Sequence, residues 1–167
     1  MTDLRAEELK VLWMGRALVF NLLKKFIRRQ FACVQHMTIV EFAQKLADST
    51  QPLILDARSP AEYAVSHLAE AQRIDVTADL TAAPALIKVS KDRPIVVYCS
   101  VGYRSAKVAQ RLQQAGFQNV FNLEGGLFQW ANEGRSLVHA GQPTQRVHPY
   151  SALWGTLVEQ RNRLQEK

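Results

Sequence analysis

A chain of 167 residues, 47% hydrophobic and 22% charged, has the size of about one globular domain with a full core and the composition of an ordinary folded one. Its two cysteines, Cys33 and Cys99, lack C-x-x-C spacing, which speaks against a disulfide framework, a cysteine zinc site and a thioredoxin-type dithiol. The net charge of +6 sits in the flanks: residues 1–36 hold seven Lys/Arg against three Asp/Glu, 37–138 ten against ten, and 139–167 four against two. The central segment is therefore neutral, and nucleic acid is not expected as a partner.

Those boundaries define a leading segment (1–36), a main domain (37–138) and a tail (139–167). Over Leu9–Phe31, apolar residues recur at helical spacing while Lys24, Lys25, Arg28 and Arg29 gather late. This reads as a basic amphipathic helix. Asp3, Glu7 and Glu8 stand where a signal peptide would be positive, and Arg16 interrupts any membrane-spanning run. Two covers suit its apolar face. One is protein, either the domain itself or a second copy in a homodimer; the other is a membrane interface, with Trp13 and Phe20 buried in it.

Strand and helix signals then alternate. Thr38 caps a helix over Val40–Leu46, with Glu41 at the capping-box offset. Leu53–Leu55 is a short buried strand ending in Asp56-Ala57-Arg58. Ser59-Pro60 opens a helix over Ala61–Ser66. Arg73–Val76 reads as a strand, and Thr77 or Asp79 as the cap of a helix running to about Val89. Ile95–Cys99 carries the strongest strand signal. A helix over Arg104–Ala115 is closed by Gly116, Val120–Leu123 is the last strand, and Gly125-Gly126 leads into a helix holding Leu127, Phe128, Trp130 and Ala131. In the tail, Gly141-Gln142-Pro143 and His148-Pro149 read as a linker, and Tyr150–Gln165 as a helix in need of cover.

Strands joined by helices imply an α/β fold: an open parallel sheet flanked by helices on both faces, with extra N- and C-terminal helices. Binding crevices in such sheets lie beyond the carboxyl ends of the strands. Asp56, Arg58, Cys99 and Glu124-Gly125-Gly126 all follow strand ends. Cys99 stands between a strand and a helix N-terminus, where free N–H groups and the helix dipole favour an anion, so this thiol should ionise more readily than a free one. The bland alternative is an inert core thiol.

The stretches Leu53–Arg58, Pro60–Leu68, Val96–Ser105 and Ala115–Gly126, followed by Trp130, come in the order of the rhodanese domain. Residues from Thr38 to about Val138 resemble that sulfurtransferase family. One departure is Leu68-Ala69-Glu70-Ala71, where the family usually turns through Pro-Gly. Related phosphatases space cysteine and arginine as Cys-x5-Arg, whereas Cys99 to Arg104 is Cys-x4-Arg, a tighter ring suited to one sulfur atom.

The resemblance implies that Cys99 is the catalytic nucleophile and takes sulfane sulfur from a donor such as thiosulfate. A thiol or protein cysteine, or cyanide in an assay, then accepts it. Ser100, Val101, Gly102, Tyr103, Arg104 and Ser105 would form the substrate-binding loop. Arg104 would attract the anionic donor, and Ser105 would cap the helix. Asp56 and Arg58 are candidate supporting residues, read first as an ion pair bracing the loop. His67 reads as a turn or core histidine, Glu124 as a backbone hydrogen-bonding group, and Tyr103 as a residue at the pocket mouth. No metal or organic cofactor is required. A reducing cytoplasm suits a lone working thiol. The competing reading is a non-catalytic module that docks a protein partner or a membrane surface.

Overall fold

Ile95–Tyr98 is β-branched until its final tyrosine, and in the computed structural model it forms β4, the sheet's centre, with all four residues buried. The structure describes residues 2–48, 51–77, 79–80 and 82–164, with side chains from Met14 onward. Strand β2 (Leu53–Asp56) lies parallel to β4, pairing Leu53 with Ile95 and Asp56 with Tyr98. Strand β5 (Val120–Leu123) flanks the other side. Two short strands, β1 (Gln35–Met37) and β3 (Gln72–Arg73), complete a five-stranded parallel sheet in the order β1-β5-β4-β2-β3.

Alternate residues of one strand face opposite sides of a sheet, and two apolar clusters form accordingly. Ile54, Val96 and Tyr98 belong to one, with Phe42 of helix α2 (Ile39–Ala47) and Phe128 of α5 (Gly126–Asn132). Leu55, Val97 and Cys99 belong to the other, with Val108 and Leu112 of α4 (Tyr103–Gln114). The short helix α3 (Pro60–Val65) follows β2. Thr38 forms the expected capping box with Glu41, and the expected helix start at Ser59-Pro60 also proves to be a capping box, closed by Glu62.

The leading helix α1 (Thr2–Gln30) packs on the domain. Phe20 enters the first cluster, and Ile27, with Phe31 just past the helix end, enters the second, so this segment straddles the carboxyl edge of the sheet. Burying those three side chains contributes on the order of 5–9 kcal/mol before entropy is subtracted. Met14, Leu18, Leu22 and Phe26, spaced four apart, remain exposed. The side chains of Leu9, Leu12 and Trp13 lie outside the described residues. No helix among the described residues is long and apolar enough to cross a membrane.

Four expectations are corrected. The segment from 79 to 89 is not a helix: the described residues show a single 3-10 turn at Pro84–Leu86. Proline forces Ala83 into an extended conformation, and Lys88 adopts a left-handed one at φ +64°. The strand expected over Arg73–Val76 ends at Arg73. The supposed linker holds a hairpin, β6 (Leu137–His139) with β7 (Gln142–Thr144), turned by Ala140 and Gly141, both at positive φ. Instead of a helix over Tyr150–Gln165 there is one turn, α6 (Ala152–Gly155), and a 3-10 turn at Gln160–Asn162; Gln165 lies outside the described residues.

The tail is nonetheless firmly docked. Leu157 and Val158 are buried, the Asn162 side chain donates to the Ala131 carbonyl at 2.7 Å, and Arg16 of α1 reaches Glu159 at 3.9 Å. Trp154 packs against the same cluster as Phe20 and Leu23, so α1 and the tail cover each other within one chain.

Candidate active site

Cys99 directly follows β4 and is almost fully buried. The chain then doubles back through Ser100, Val101 and Gly102 into α4. Gly102 makes this reversal at φ +111°, a conformation open to glycine, and its N–H donates to Cys99 Sγ at 3.1 Å. By helix geometry the next N–H groups, those of Tyr103, Arg104 and Ser105, have no intrahelical acceptor. A sulfur at this position meets the positive end of a twelve-residue helix.

The loop is gripped from behind. The N–H groups of Leu127 and Phe128, opening α5, donate to the carbonyls of Cys99 and Ser100 at 2.8 and 3.0 Å. Gly126 permits this contact, since a Cβ there would lie 2.3 Å from the Cys99 carbonyl oxygen. Sequence order places Gly125-Gly126 at this sheet edge, but does not show its grip on the thiol loop.

Ser105 does not cap α4. Gly102 occupies the cap position without a side-chain bond, and the Ser105 hydroxyl points inward, 2.6 Å from Asn122 Oδ1 and 3.4 Å from Cys99 Sγ. Arg104 is not a free cation at the rim either. It donates to both Glu62 carboxylate oxygens, at 2.7 and 2.8 Å, and to the Ser100 hydroxyl at 3.0 Å. The guanidinium also lies over the Tyr150 ring, 4.9 Å from its centroid. Burial opposes its charge, but the Glu62 bonds and the nearby Cys99 outweigh burial and raise its pKa further.

Glu62 is the residue sequence reasoning missed. It is buried, anchored by the Ser59 backbone N–H at 3.0 Å, and receives the Ser100 hydroxyl at 2.8 Å. Burial alone would raise its pKa; the bonds from Arg104, Ser59 and Ser100 prevail and hold it at about 2. The Ser-x-x-Glu spacing from Ser59 could have marked it as a capping-box residue, but nothing in the sequence shows its reach across to Arg104.

Asp56 and Arg58 form a buried ion pair, Arg58 Nη2 to Asp56 Oδ2 at 2.6 Å, with the Tyr98 hydroxyl donating to the same Asp56 oxygen at 2.5 Å. Arg58 also donates to the Ser66 carbonyl at 2.6 Å. The pair fastens β2 to β4 and to the turn after α3. His67 stacks on Tyr63 in that turn, its Nδ1 3.0 Å from the Tyr63 carbonyl. Glu124 departs from expectation: its carboxylate takes a two-pronged bond from Arg28 of α1. Cys33 is exposed, with Gln110 donating to its sulfur at 3.3 Å.

Above the thiol lies a cavity of about 280 Å³. Leu23, Phe26 and Ile27 of α1, Val101 and Tyr103 of the loop, and Trp154 of the tail supply its apolar walls. Tyr103 thus stands at the mouth as expected, edge-on to Phe31 with centroids 5.4 Å apart.

Comparison with known proteins agrees with this geometry. The model of the rhodanese-like domain matches residues 38–133, more than half of the chain. The chain belongs to the rhodanese family. It is 34% identical to a sulfurtransferase of Allochromatium vinosum over 96 residues, covering 58% of this chain and 87% of that protein. It is equally 34% identical to a tRNA uridine(34) hydroxylase of Sodalis glossinidius, but spans only 30% of that protein's length. Among solved structures, a rhodanese-like domain protein from Staphylococcus aureus is 30% identical and superposes with a TM-score of 0.54, over 64% of this chain and 98% of that one. The α1 and tail residues that roof the cavity of this rhodanese lie outside the matched segment.

Proposed function

We propose that this rhodanese is a sulfurtransferase that carries sulfane sulfur as a persulfide on Cys99. The observation carrying the reading is a thiol at the strand end that accepts the Gly102 N–H and opens onto a cavity. Sulfurtransferases among the relatives support the same class of chemistry.

In the first half-reaction the Cys99 thiolate attacks the outer sulfur of a donor. With thiosulfate, the sulfur–sulfur bond breaks, its electron pair leaves with sulfite, and a Cys99 persulfide remains. N–H groups at the start of α4 hold the terminal sulfur, and Gly102 keeps the loop turned toward it. In the second half-reaction a thiophile attacks that sulfur, and the electron pair returns to Cys99. Glu62 and Arg104 hold the loop in shape, so Arg104 acts mainly as a positioning residue. Metal and organic cofactors have no step in this scheme.

Intact mass after treatment with thiosulfate, polysulfide or glutathione persulfide tests the proposal. A gain of one sulfur, lost in Cys99→Ser and kept in Cys33→Ser, is the expected result. No gain from any of the three donors would sink it and leave the docking-module reading.

A further inference from the structure

Resting on the sulfur-transfer reading, we infer that the cavity over Cys99 selects organic substrates with an uncharged alkyl or aromatic body, not small inorganic anions. Three observations converge. The walls contributed by Leu23, Phe26, Ile27, Val101, Tyr103 and Trp154 are hydrocarbon or aromatic ring. Arg104, the cation in the cavity's lining, is already neutralised by Glu62 and covered by Tyr150, so an entering anion finds the loop N–H groups beside Cys99 but no uncommitted side-chain charge along the walls to replace its water. The third is size. An apolar cavity of about 150 Å³ accommodates benzene, so roughly 280 Å³ takes an aromatic thiol or a short alkyl chain beside the reacting sulfur.

This selectivity is a property of the flanks. Leu23, Phe26 and Ile27 belong to α1 and Trp154 to the tail, and Arg28 pins α1 by bonding Glu124 just beyond β5. Phe26 stacks on Tyr103 with ring centroids 6.3 Å apart and is itself 55% exposed, so the rim is apolar as well. A thiol enters with its sulfur toward Cys99 and its hydrocarbon along α1. Its thiolate attacks the terminal sulfur of the protonated Cys99 persulfide, and the Cys99–sulfur bond breaks toward Cys99. The acceptor leaves as an organic persulfide.

The test pairs two series on the full chain. Persulfide-loaded protein is mixed with ethanethiol, propanethiol, butanethiol and 2-mercaptoethanol, with each rate referred to the thiolate present. Expected is a rise of about fourfold per added methylene, with propanethiol well ahead of the similarly sized 2-mercaptoethanol. Separately, unloaded protein is treated with butyl and sulfonatoethyl methanethiosulfonates, whose attack by Cys99 gives a mixed disulfide and methanesulfinate. Peptide mass mapping should show Cys99 labelled at least tenfold faster by the butyl reagent, and Leu23→Ser and Trp154→Ala should each narrow that ratio. Equal rates along the thiol series, or a sulfonatoethyl reagent as fast as the butyl one, would overturn the inference. Because the labelling arm needs no persulfide, it decides the question even if sulfur loading fails.

Discussion

Glu62 and Arg104, 42 residues apart, meet through two parallel hydrogen bonds of 2.7 and 2.8 Å beneath the thiol loop. The carboxylate is buried and the guanidinium about one quarter exposed. Such a fork fixes orientation as well as distance. Glu62→Gln keeps the shape but removes the charge and one of the two acceptors facing Arg104. We expect a loss of about 2–3 kcal/mol, below the full cost of breaking a deeply buried pair because Arg104 is part-solvated. Persulfide formation should slow by roughly ten- to a hundredfold as the loop loses its geometry. Urea unfolding and single-turnover loading, read by mass, check the two effects separately. An unchanged loading rate would show that the pair supports folding alone.

The same carboxylate sets an acid limit. Its folded pKa of about 2 lies below the ordinary carboxylate range, so the unfolded chain binds the proton more readily. The resulting stabilisation is complete above about pH 4.5 and disappears as pH falls toward 2. Its size is on the order of 2–3 kcal/mol after partial screening of Arg104. Urea midpoints measured from pH 6 to 3 should decline more steeply in the wild type than in Glu62→Gln, and the two curves should converge at low pH.

How much of this was legible beforehand depends on what kind of contact carried each feature. Local signals worked well: the β-branched run into Cys99, the Thr38 capping box, the Ser59-Pro60 helix start, and the parallel α/β order all follow from neighbours in sequence. Strand β1 was hidden because Gln35-His36-Met37 is short and largely polar, and becomes a strand by pairing with β5. In the tail, the stripe Leu153, Trp154, Leu157 and Val158 imitated a helix. That helix stops after one turn, at Gly155, leaving Leu153 exposed while Leu157 and Val158 are buried. Within the site, Cys99 and its loop were readable from spacing. Glu62, Gly126 and the roof from α1 needed the third dimension, since each acts on residues far away along the chain.

Gly126 gives a test of the loop's rear support. An added Cβ would press on backbone, 2.3 Å from the Cys99 carbonyl oxygen and 2.8 Å from the Ser100 carbonyl carbon, and the residue sits at φ +55°. Backbone on both sides has little freedom to yield, so Gly126→Ala should cost about 3 kcal/mol or more and depress sulfur loading. Gly116→Ala is the control. It shares a positive φ of +90° but has nothing within 4 Å of the new Cβ, and should cost only about 1 kcal/mol with normal loading. Equal costs for the two variants would mean that backbone conformation, not the contact with the thiol loop, explains Gly126.

Asp56 and Arg58 brace β2 against β4, which sets a sharp expectation for stability. Their side chains are wholly buried, and Asp56 also receives the Tyr98 hydroxyl. Asp56→Asn leaves Arg58 charged in a dry environment and should destabilise by about 3–5 kcal/mol. Tyr98→Phe removes two hydrogen bonds, the one donated to Asp56 and the one accepted from the buried Leu68 N–H at 3.1 Å, and should cost about 2–3 kcal/mol, with loading of Cys99 intact once the protein is folded. A loading defect in well-folded Tyr98→Phe would instead place this network within the chemistry.

Arg28 tests whether α1 is fastened over the site or merely leans on it. Its guanidinium is more than half exposed, yet it bonds both oxygens of the Glu124 carboxylate, which is only 5% exposed. Those bonds hold Arg28 protonated more firmly than usual. Glu124 also faces Lys24, and His36 with its Nδ1 3.9 Å away; burial lowers the pKa of both, which favours the neutral imidazole and leaves Arg28 as the firmest cation at this carboxylate. Arg28→Ala therefore takes the strongest partner from a buried carboxylate and should cost about 1–2 kcal/mol. The loss should be felt first in α1, because Ile27 and Phe31 are the adjacent anchors. Hydrogen exchange should accelerate for amides between Leu23 and Gln30 while those of β4 stay protected. Glu124→Gln, which retains an oxygen acceptor without a charge, should accelerate them less. If exchange in α1 is the same in wild type and Arg28→Ala, apolar packing alone seats the helix over Cys99.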